Sequence, residues 1–486
     1  MARPAYDIYL RCLGKMAMQV NTAGCGAEGM GTGHWVKRAR RLAATLPLTA
    51  LALTVATVAH GQSLEDALSQ AYQNNPTLEA SRAGQRATDE GVPQARASML
   101  PTVTADGNLG KERLSQGNAI QHMNPAQTGV TINQAIYAGG SIQAGISQAE
   151  NQVEAGRASL LDTEQQVLLA AATAYLDVVR DQAVLDLNIN NEQVLTRQLE
   201  ASRDRFRVGE LTRTDVSQSE SRLAGATADR ISAQGNLAAS RATYAKLMGQ
   251  VPGTLKQPTR LVHLPVNQEE IMAAAEVSAP VVVAARYNHK ASQDAVDGAF
   301  GQMLPQLSAS AQYYRNWDQS LPGVQYDTAV ISARVTIPLY EGGGTSAKVR
   351  GAKQTEQQRR TQVMEAVRSA DETAVKAWQA LVTARAAIEA YKSAVASNEI
   401  ALEGVRQEQS VGSRTILDVL NAEQELVNAK VQLVRAQHDE QVASYQVLSA
   451  VGDLTAAKLG LNVPLYDAKA HYEEVKDKLW GPSIEK

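Results

Sequence analysis

The chain carries the same series of sequence landmarks twice, at an offset of 203 or 204 residues. In order, the landmarks are a residue pair ending in proline, an MLP tripeptide, an aromatic residue followed closely by two glycines, a valine–glycine pair and a final glycine. The matching segments are 75–76 and 279–280, 99–101 and 303–305, 136–140 and 339–343, 207–216 and 410–419, and 247–249 and 450–452. Five landmarks at one offset predict a duplicated structural unit. The fold must therefore contain each of its main elements twice.

Each half is predicted to contain a moderate helix, two short strands and two very long helices. Residues 143–206 contain no proline, and apolar or small residues recur from Ile142 to Leu160 at spacings of four and three. That spacing is the coiled-coil period. A helix of about 64 residues, at 1.5 Å per residue, would be roughly 95 Å long. In each half a valine–glycine pair separates this helix from the next, so each half is predicted to form a long helical hairpin.

These patterns set the predicted boundaries. The first repeat, 62–265, would hold a helix at about 76–99, strands at 101–109 and 128–136, and long helices at 143–206 and 212–249. The second repeat, 266–452, would hold a helix at about 279–303, strands at 305–314 and 329–338, and long helices at 344–409 and 415–451. A tail, 453–486, follows the second repeat, and residues 1–61 precede the first.

The predicted strands alternate apolar or small residues with polar ones. In 101–109, Val103 and Leu109 share one face, and the links between paired strands, 110–126 and 316–327, are long and polar like extracellular loops. Such alternation is typical of barrel strands that face lipid on one side and a polar lumen on the other. Four strands cannot close a barrel in lipid, because open edges would leave backbone groups unpaired there. Several copies of the chain must therefore contribute strands to one barrel.

The N-terminal region is predicted to be a secretory leader. Residues 37–41 read KRARR and precede an apolar run that contains Pro47 and ends in small residues before residue 62. A basic segment, an apolar run and a cleavage site with small residues are the three parts of a signal peptide. A transmembrane anchor is the alternative, but the run is short and contains a proline. Residues 1–61 would then be the leader, and we expect translation to start at Met30.

The charge balance disfavours nucleic acid as a partner. Residues 1–61 hold seven of the 47 basic and two of the 50 acidic residues, so residues 62–486 have a formal charge of −8. Nucleic-acid binding generally requires a basic surface instead. An acidic surface also suits a pore that favours cations.

Sequence motifs for catalysis or metal binding are missing. Both cysteines, Cys12 and Cys25, lie in the predicted leader, and the five histidines beyond it are scattered. The sequence has no GxSxG motif, and its EGGGTSAK segment lacks the spacing of a phosphate-binding loop. We therefore expect no enzyme activity, no cofactor and no metal, and we expect His438 to be a partly buried packing residue.

Two motifs carry a resemblance to a known family. Tyr137 and Tyr340 each begin a Tyr-x-Gly-Gly turn after a second strand, and 411–430 reads VGSRTILDVLNAEQELVNAK. With the duplicated plan, these segments resemble the TolC outer-membrane factor family over nearly all of the chain after the leader. The resemblance implies a mainly α-helical fold with membrane β-structure. The helical hairpins would form a trimeric α-barrel across the periplasm, and each chain would give four strands to a shared transmembrane β-barrel.

The resemblance also implies a function and partners. A homotrimer in the outer membrane would export drugs or secreted proteins, together with a periplasmic adaptor protein and an inner-membrane transporter. An equatorial belt around the α-barrel would draw on residues near 250–266 and on the tail.

In the resembled family, polar links between the hairpins hold the periplasmic entrance shut, and rings of aspartate narrow the lumen. The matching residues here are Arg414, Asp418, Asn421, Thr214, Asp215 and Gln409. The resemblance implies that Arg414 pairs with Thr214 and Asp215 through charge-assisted hydrogen bonds. Asp418, repeated around the symmetry axis, would form a carboxylate ring that selects cations.

Two positions depart from the family pattern. Asn421 stands where the family has a second ring aspartate, and Gln409 stands where it has a tyrosine. We therefore expect a weaker cation trap and a differently bonded gate. The alternative role for Arg414 and Asp418 is the ordinary one of capping or solvating a helical turn.

Two other classes of protein are alternatives to the channel. A periplasmic coiled-coil adaptor or structural protein would contain long helices, but it would normally show one hairpin and no membrane strands. A secreted hydrolase would need a catalytic constellation that the sequence does not contain. The duplicated hairpins and the four alternating strands favour the channel.

Overall fold

The structure is a computed structural model that describes residues 62–117, 119–258, 264, 267–481 and 483. The predicted leader, with Met30 and both cysteines, lies outside the described residues, and so does part of the segment 250–266.

Within its described residues, the first half of the chain contains five helices and four strands. They are α1 (Leu64–Asn74), α2 (Pro76–Asp89), α3 (Gly91–Ala97), β1 (Thr102–Leu109), β2 (Glu112–Gln116), β3 (Ala119–Met123), β4 (Ala126–Ala138), α4 (Ser141–Arg207) and α5 (Arg213–Met248). The second half, as far as it is described, contains α6 (Gln268–Ser278), α7 (Pro280–Gly301), β5 (Gln306–Trp317), β6 (Gln325–Thr336), α8 (Gly344–Ser410), α9 (Ile416–Ala450) and the short α10 (Ala470–Val475).

The two halves share one plan. The helices α4 and α8 each span 67 residues, and each packs along the helix that follows it, α5 or α9. Each long helix begins after two glycines with positive φ, Gly139–Gly140 and Gly342–Gly343. At Gly139 a Cβ would lie 2.0 Å from the carbonyl oxygen of Gly301, so this turn requires glycine. Among the described helices, none is both long enough and apolar enough to cross a bilayer.

The largest apolar core surrounds the middle of α4, where α1, α5 and the C-terminal tail meet. Tyr175, Tyr244 and Leu454 are fully buried there. Burial raises the pKa of Tyr175 to about 12. Its hydroxyl lies 2.8 Å from the carbonyl oxygen of Gln62 and 2.6 Å from that of Lys256. The start of the described chain and the segment after α5 are thereby held against the middle of the hairpin.

A second apolar core lies at the corresponding place in the second repeat. There α6 packs against α8 and α9, and Ile271, Leu381 and Val447 are fully buried. Each hairpin is thus packed against a short helix near its middle.

The sheet that joins the repeats has four antiparallel strands in the order β1-β4-β5-β6. The β4–β5 pairing links the two repeats and contains a bulge between Ala135 and Tyr137. The strands β1 and β6 form the two edges of this sheet. The link 110–126, predicted to be a loop, instead contains the hairpin β2–β3.

The strand register gives this sheet an apolar face and a polar face. Directly paired residues of neighbouring strands project from the same face. One such row across all four strands is Val103, Ile132, Ala311 and Ile331. The adjacent row, on the opposite face, is Thr102, Asn133, Ser310 and Ser332. The apolar row is not buried in the chain, since Ile331 is 89% exposed and Val103 is 64% exposed.

Candidate functional site at the hairpin tips

The two hairpins end in turns of the same construction. Gly209 and Gly412 both have φ of 82°, in the left-handed region that favours glycine. The amide of Glu210 donates to the carbonyl of Arg205 at 2.9 Å, and the amide of Ser413 donates to that of Glu408 at 2.9 Å. Both valine–glycine pairs therefore end a long helix in the same way.

A capping box starts the returning helix at each tip. Asp215 accepts the amide of Thr212 at 3.0 Å, and Asp418 accepts the amide of Thr415 at 2.9 Å. The threonine hydroxyl in turn accepts the aspartate amide at 3.3 Å in both repeats. The backbone and side-chain hydrogen bonds from Thr415, helped by the charge of Arg414, hold the pKa of Asp418 below its usual value. Asp215 and Asp418 therefore each cap the start of the returning helix.

An arginine–glutamate ion pair lies behind each tip at the same offset of 203 residues. Arg203 donates to Glu220 at 2.7 Å between α4 and α5, and Arg406 donates to Glu423 at 2.9 Å between α8 and α9. The carboxylate of Glu423 is almost buried, at 6% exposure, whereas that of Glu220 is 48% exposed. Both pairs join the two helices of one hairpin.

In the single chain, Arg414 contacts its own hairpin. Its Nε lies 2.9 Å from Oε2 of Glu408, and both side chains are half exposed. Within the described chain it pairs with neither Thr214 nor Asp215. Thr214 is exposed on the first turn of α5, and Asp215 is engaged in its capping box. Gln409 is half-buried in the last turn of α8, where its carbonyl accepts the amide of Gly412.

Asn421 makes a contact that links the two hairpins. Its Oδ1 accepts a hydrogen bond from Nη2 of Arg222, on α5, at 2.6 Å. Sequence reasoning did not identify Arg222. The position 203 residues later is Glu425, so the duplication gives no signal for Arg222.

A small apolar cluster also joins the tips. Ile416 and Leu420, on the first turns of α9, pack with Leu195 and Ala226 of the first hairpin. Leu420 is 1% exposed and Ile416 is 5% exposed, so this contact excludes water. The two hairpins are therefore in direct contact near their ends.

His438 lies further from the tips and joins α9 to α4. Its side chain is 10% exposed, in line with the expected burial, and its Nε2 lies 2.9 Å from Oδ1 of Asp177. Arg180 also contacts Asp177, at 2.7 Å. Burial alone would raise the pKa of Asp177, but its contacts with His438 and Arg180 outweigh burial and lower it. His438 is thus part of a polar contact between the hairpins.

Comparison with known sequences gives one family for both halves. The sequence profile of a family described as "Outer membrane efflux protein" matches residues 67–250 and 272–453. The outer membrane efflux protein BepC of Brucella suis is 34% identical over 448 residues, which cover 92% of this chain and 97% of BepC. The outer membrane protein TolC of Vibrio cholerae is 27% identical over 412 residues, covering 83% of this chain and 93% of TolC.

Solved structures give the same fold. The CmeC outer membrane channel of Campylobacter jejuni superposes with a TM-score of 0.75 at 14% identity, covering 85% of this chain and 89% of CmeC. At that identity the likeness concerns the fold alone.

Proposed function

The chain belongs to the outer membrane efflux protein family, and we propose that it forms a homotrimeric channel of the outer membrane that exports drugs or secreted proteins. The family consists of channels rather than enzymes. The long hairpins would extend from the membrane into the periplasm as an α-barrel.

The two-faced sheet is the observation that carries this proposal. Its apolar row is exposed in the single chain, and its opposite face is lined by hydroxyl and amide groups. Such a sheet suits lipid on one side and water on the other. With β1 and β6 as its edges, pairing of β1 from one copy with β6 from the next would satisfy both edges and close a barrel.

Membership of this family also supports partners for the channel. A channel that ends in the periplasm must receive its cargo from an inner-membrane transporter, and a periplasmic adaptor protein would join the two. The exposed hairpin tips are the part of the chain that would meet them. The acidic charge of residues 62–486 suits a lumen that favours cations.

For the tips we propose a gate formed by Arg414, Asp418, Asn421, Thr214, Asp215 and Gln409. Since Arg414 pairs with Glu408 inside its own chain, its gate contact would be made to Thr214 and Asp215 of a neighbouring copy. Asp418 would form the narrow carboxylate ring. Arg414 is exposed and Asp418 is half-buried at this tip, which is where a neighbouring copy would meet them in the trimer.

The channel function is tested by expression, fractionation and reconstitution. The protein should be found in the outer-membrane fraction as a trimer and should conduct ions in planar bilayers. Deletion of its gene should raise drug sensitivity or abolish secretion of specific proteins, and the affected phenotype identifies the cargo. A water-soluble monomer without conductance would exclude the channel and favour the alternative, a periplasmic coiled-coil adaptor.

A further inference from the structure

We infer that the Arg222–Asn421 hydrogen bond is a latch between the two hairpins, and that Arg222 positions the gate by holding the hairpin tips together. The inference rests on the proposed channel and names a residue of its gate that neither the sequence nor the resemblance assigned.

Contacts between the two hairpins must break when the entrance widens. Two rigid hairpins that converge at their tips can open only by moving apart or sliding. The ion pairs Arg203–Glu220 and Arg406–Glu423 each lie inside one hairpin, so they move with it unchanged. The Arg222–Asn421 contact runs from α5 to α9, so it must break.

The Arg222–Asn421 bond lies close to the hairpin tips. Asn421 lies in the second turn of α9 and Arg222 lies in the third turn of α5, so both are within about 15 Å of a tip along the helix axis. The apolar contact of Leu420 with the first hairpin lies next to Asn421 in the sequence. A polar bond beside a dry apolar contact forms a joint at the place where the hairpins converge.

The Arg222–Asn421 hydrogen bond is of intermediate strength. Arg222 offers a charged donor, and Asn421 offers a neutral amide oxygen at 2.6 Å. One such bond is stronger than a neutral pair but weaker than an arginine–carboxylate pair with two bonds. The asparagine therefore suits a joint that holds the resting state and still yields to a partner protein.

The test uses the full-length trimer in planar bilayers. Arg222→Ala should raise the open-to-closed ratio about three- to tenfold, because the bond is lost only from the closed state. Asn421→Asp keeps the side-chain size and converts the contact into an ion pair, so it should lower the ratio by a similar factor. The double variant Arg222→Ala with Asn421→Ala should match Arg222→Ala alone, since both remove the same bond.

Arg203→Ala is the matched control, because it removes an arginine bond at the same tip but inside one hairpin. It should leave the open-to-closed ratio unchanged. Equal opening in Arg203→Ala and Arg222→Ala, or no change in either Asn421→Asp or Arg222→Ala, would overturn the latch. If Arg222→Ala does not form a trimer, the open-to-closed ratio of Asn421→Asp tests the latch by itself. A wild-type protein without any conductance would instead count against the proposed channel.

Discussion

At the scale of single residues, Asp215 and Asp418 occupy the same position in two copies of one turn. Each accepts the amide of a threonine three residues earlier, with bonds that differ by 0.1 Å. Each aspartate should therefore stabilise its own helix to a similar extent. In the proposed gate their roles differ, because Asp418 would form the carboxylate ring and Asp215 would accept Arg414 of a neighbouring copy.

Replacing Asp418 by Ala should weaken block of the channel by multivalent cations, because the proposed carboxylate ring loses its charge. Asp66→Ala removes a capping box of the same kind from α1, away from the hairpin tips, and should leave the block unchanged. Single-channel currents titrated with a trivalent cation measure the effect. Equal loss of block in both variants would assign it to the helix caps instead of a ring.

Replacing Arg414 by Ser should raise single-channel conductance, because the proposed contact with a neighbouring copy is lost. The variant should fold normally, since the exposed pair with Glu408 contributes less than about 1 kcal/mol. Arg207→Ser, at the tip of the first hairpin and in an exposed pair with Asp204, is the control. Unchanged conductance in Arg414→Ser would remove Arg414 from the gate.

The sequence could identify some of the candidate site and not the rest. Capping boxes are local, so Thr415 and Asp418 can be recognised from four consecutive residues. The bond between Arg222 and Asn421 joins residues 199 positions apart and depends on how two hairpins pack. Arg414 pairs with Glu408 across the turn that contains Val411 and Gly412, and this contact depends on the turn geometry.

At the scale of elements, the two arginine–glutamate pairs differ mainly in burial. Replacing Glu423 by Ala should lower the stability of the second hairpin by about 1–3 kcal/mol, because a nearly buried charged hydrogen bond is lost. Glu220→Ala should cost less than about 1 kcal/mol, since that carboxylate is hydrated. Thermal unfolding followed by helical circular dichroism compares the two. Equal shifts would show that burial does not set their strength.

The joint between α4 and α9 should depend on pH through Asp177. Its pKa is lower in the folded chain, so its stabilisation is present above the usual carboxyl pKa and is lost as pH falls through the folded pKa. Asp177→Asn should therefore lower the thermal midpoint at pH 7 but have little effect once the pH falls below the lowered pKa of Asp177. Asp186→Asn, an exposed substitution on α4, is the control. A constant difference across this pH range would contradict the linkage.

Helices were easier to locate from sequence than the connection between the strands. The coiled-coil period predicted helices at 143–206 and 344–409, and the structure has Ser141–Arg207 and Gly344–Ser410. The β2–β3 hairpin was missed because its strands, ERLSQ and AIQHM, show no clear alternation. Leu114 and Ile120 of this hairpin are exposed, so its sequence carries little periodic signal.

At the scale of the whole molecule, the proposed barrel needs strands from more than one chain. Neighbouring strands of the sheet pair their backbone groups by hydrogen bonds. The edge strands β1 and β6 each have one backbone edge that faces away from the sheet. In lipid such an edge is costly, since water is absent and each unpaired group costs several kcal/mol. Assembly and membrane insertion should therefore depend on the same backbone groups.

Proline scanning of β6 tests this dependence. Of two adjacent residues in an edge strand, one amide points to the neighbouring strand and the other points outward. Between Ile331→Pro and Ser332→Pro, the variant that loses the outward amide should abolish the trimer, because it removes a bond to β1 of the next copy. The other variant should disturb β5–β6 pairing within the chain. Ser115→Pro, in the separate β2–β3 hairpin, should leave the trimer intact. Native electrophoresis of the outer-membrane fraction distinguishes these outcomes, and a normal trimer in both β6 variants would mean that β6 is not a subunit contact.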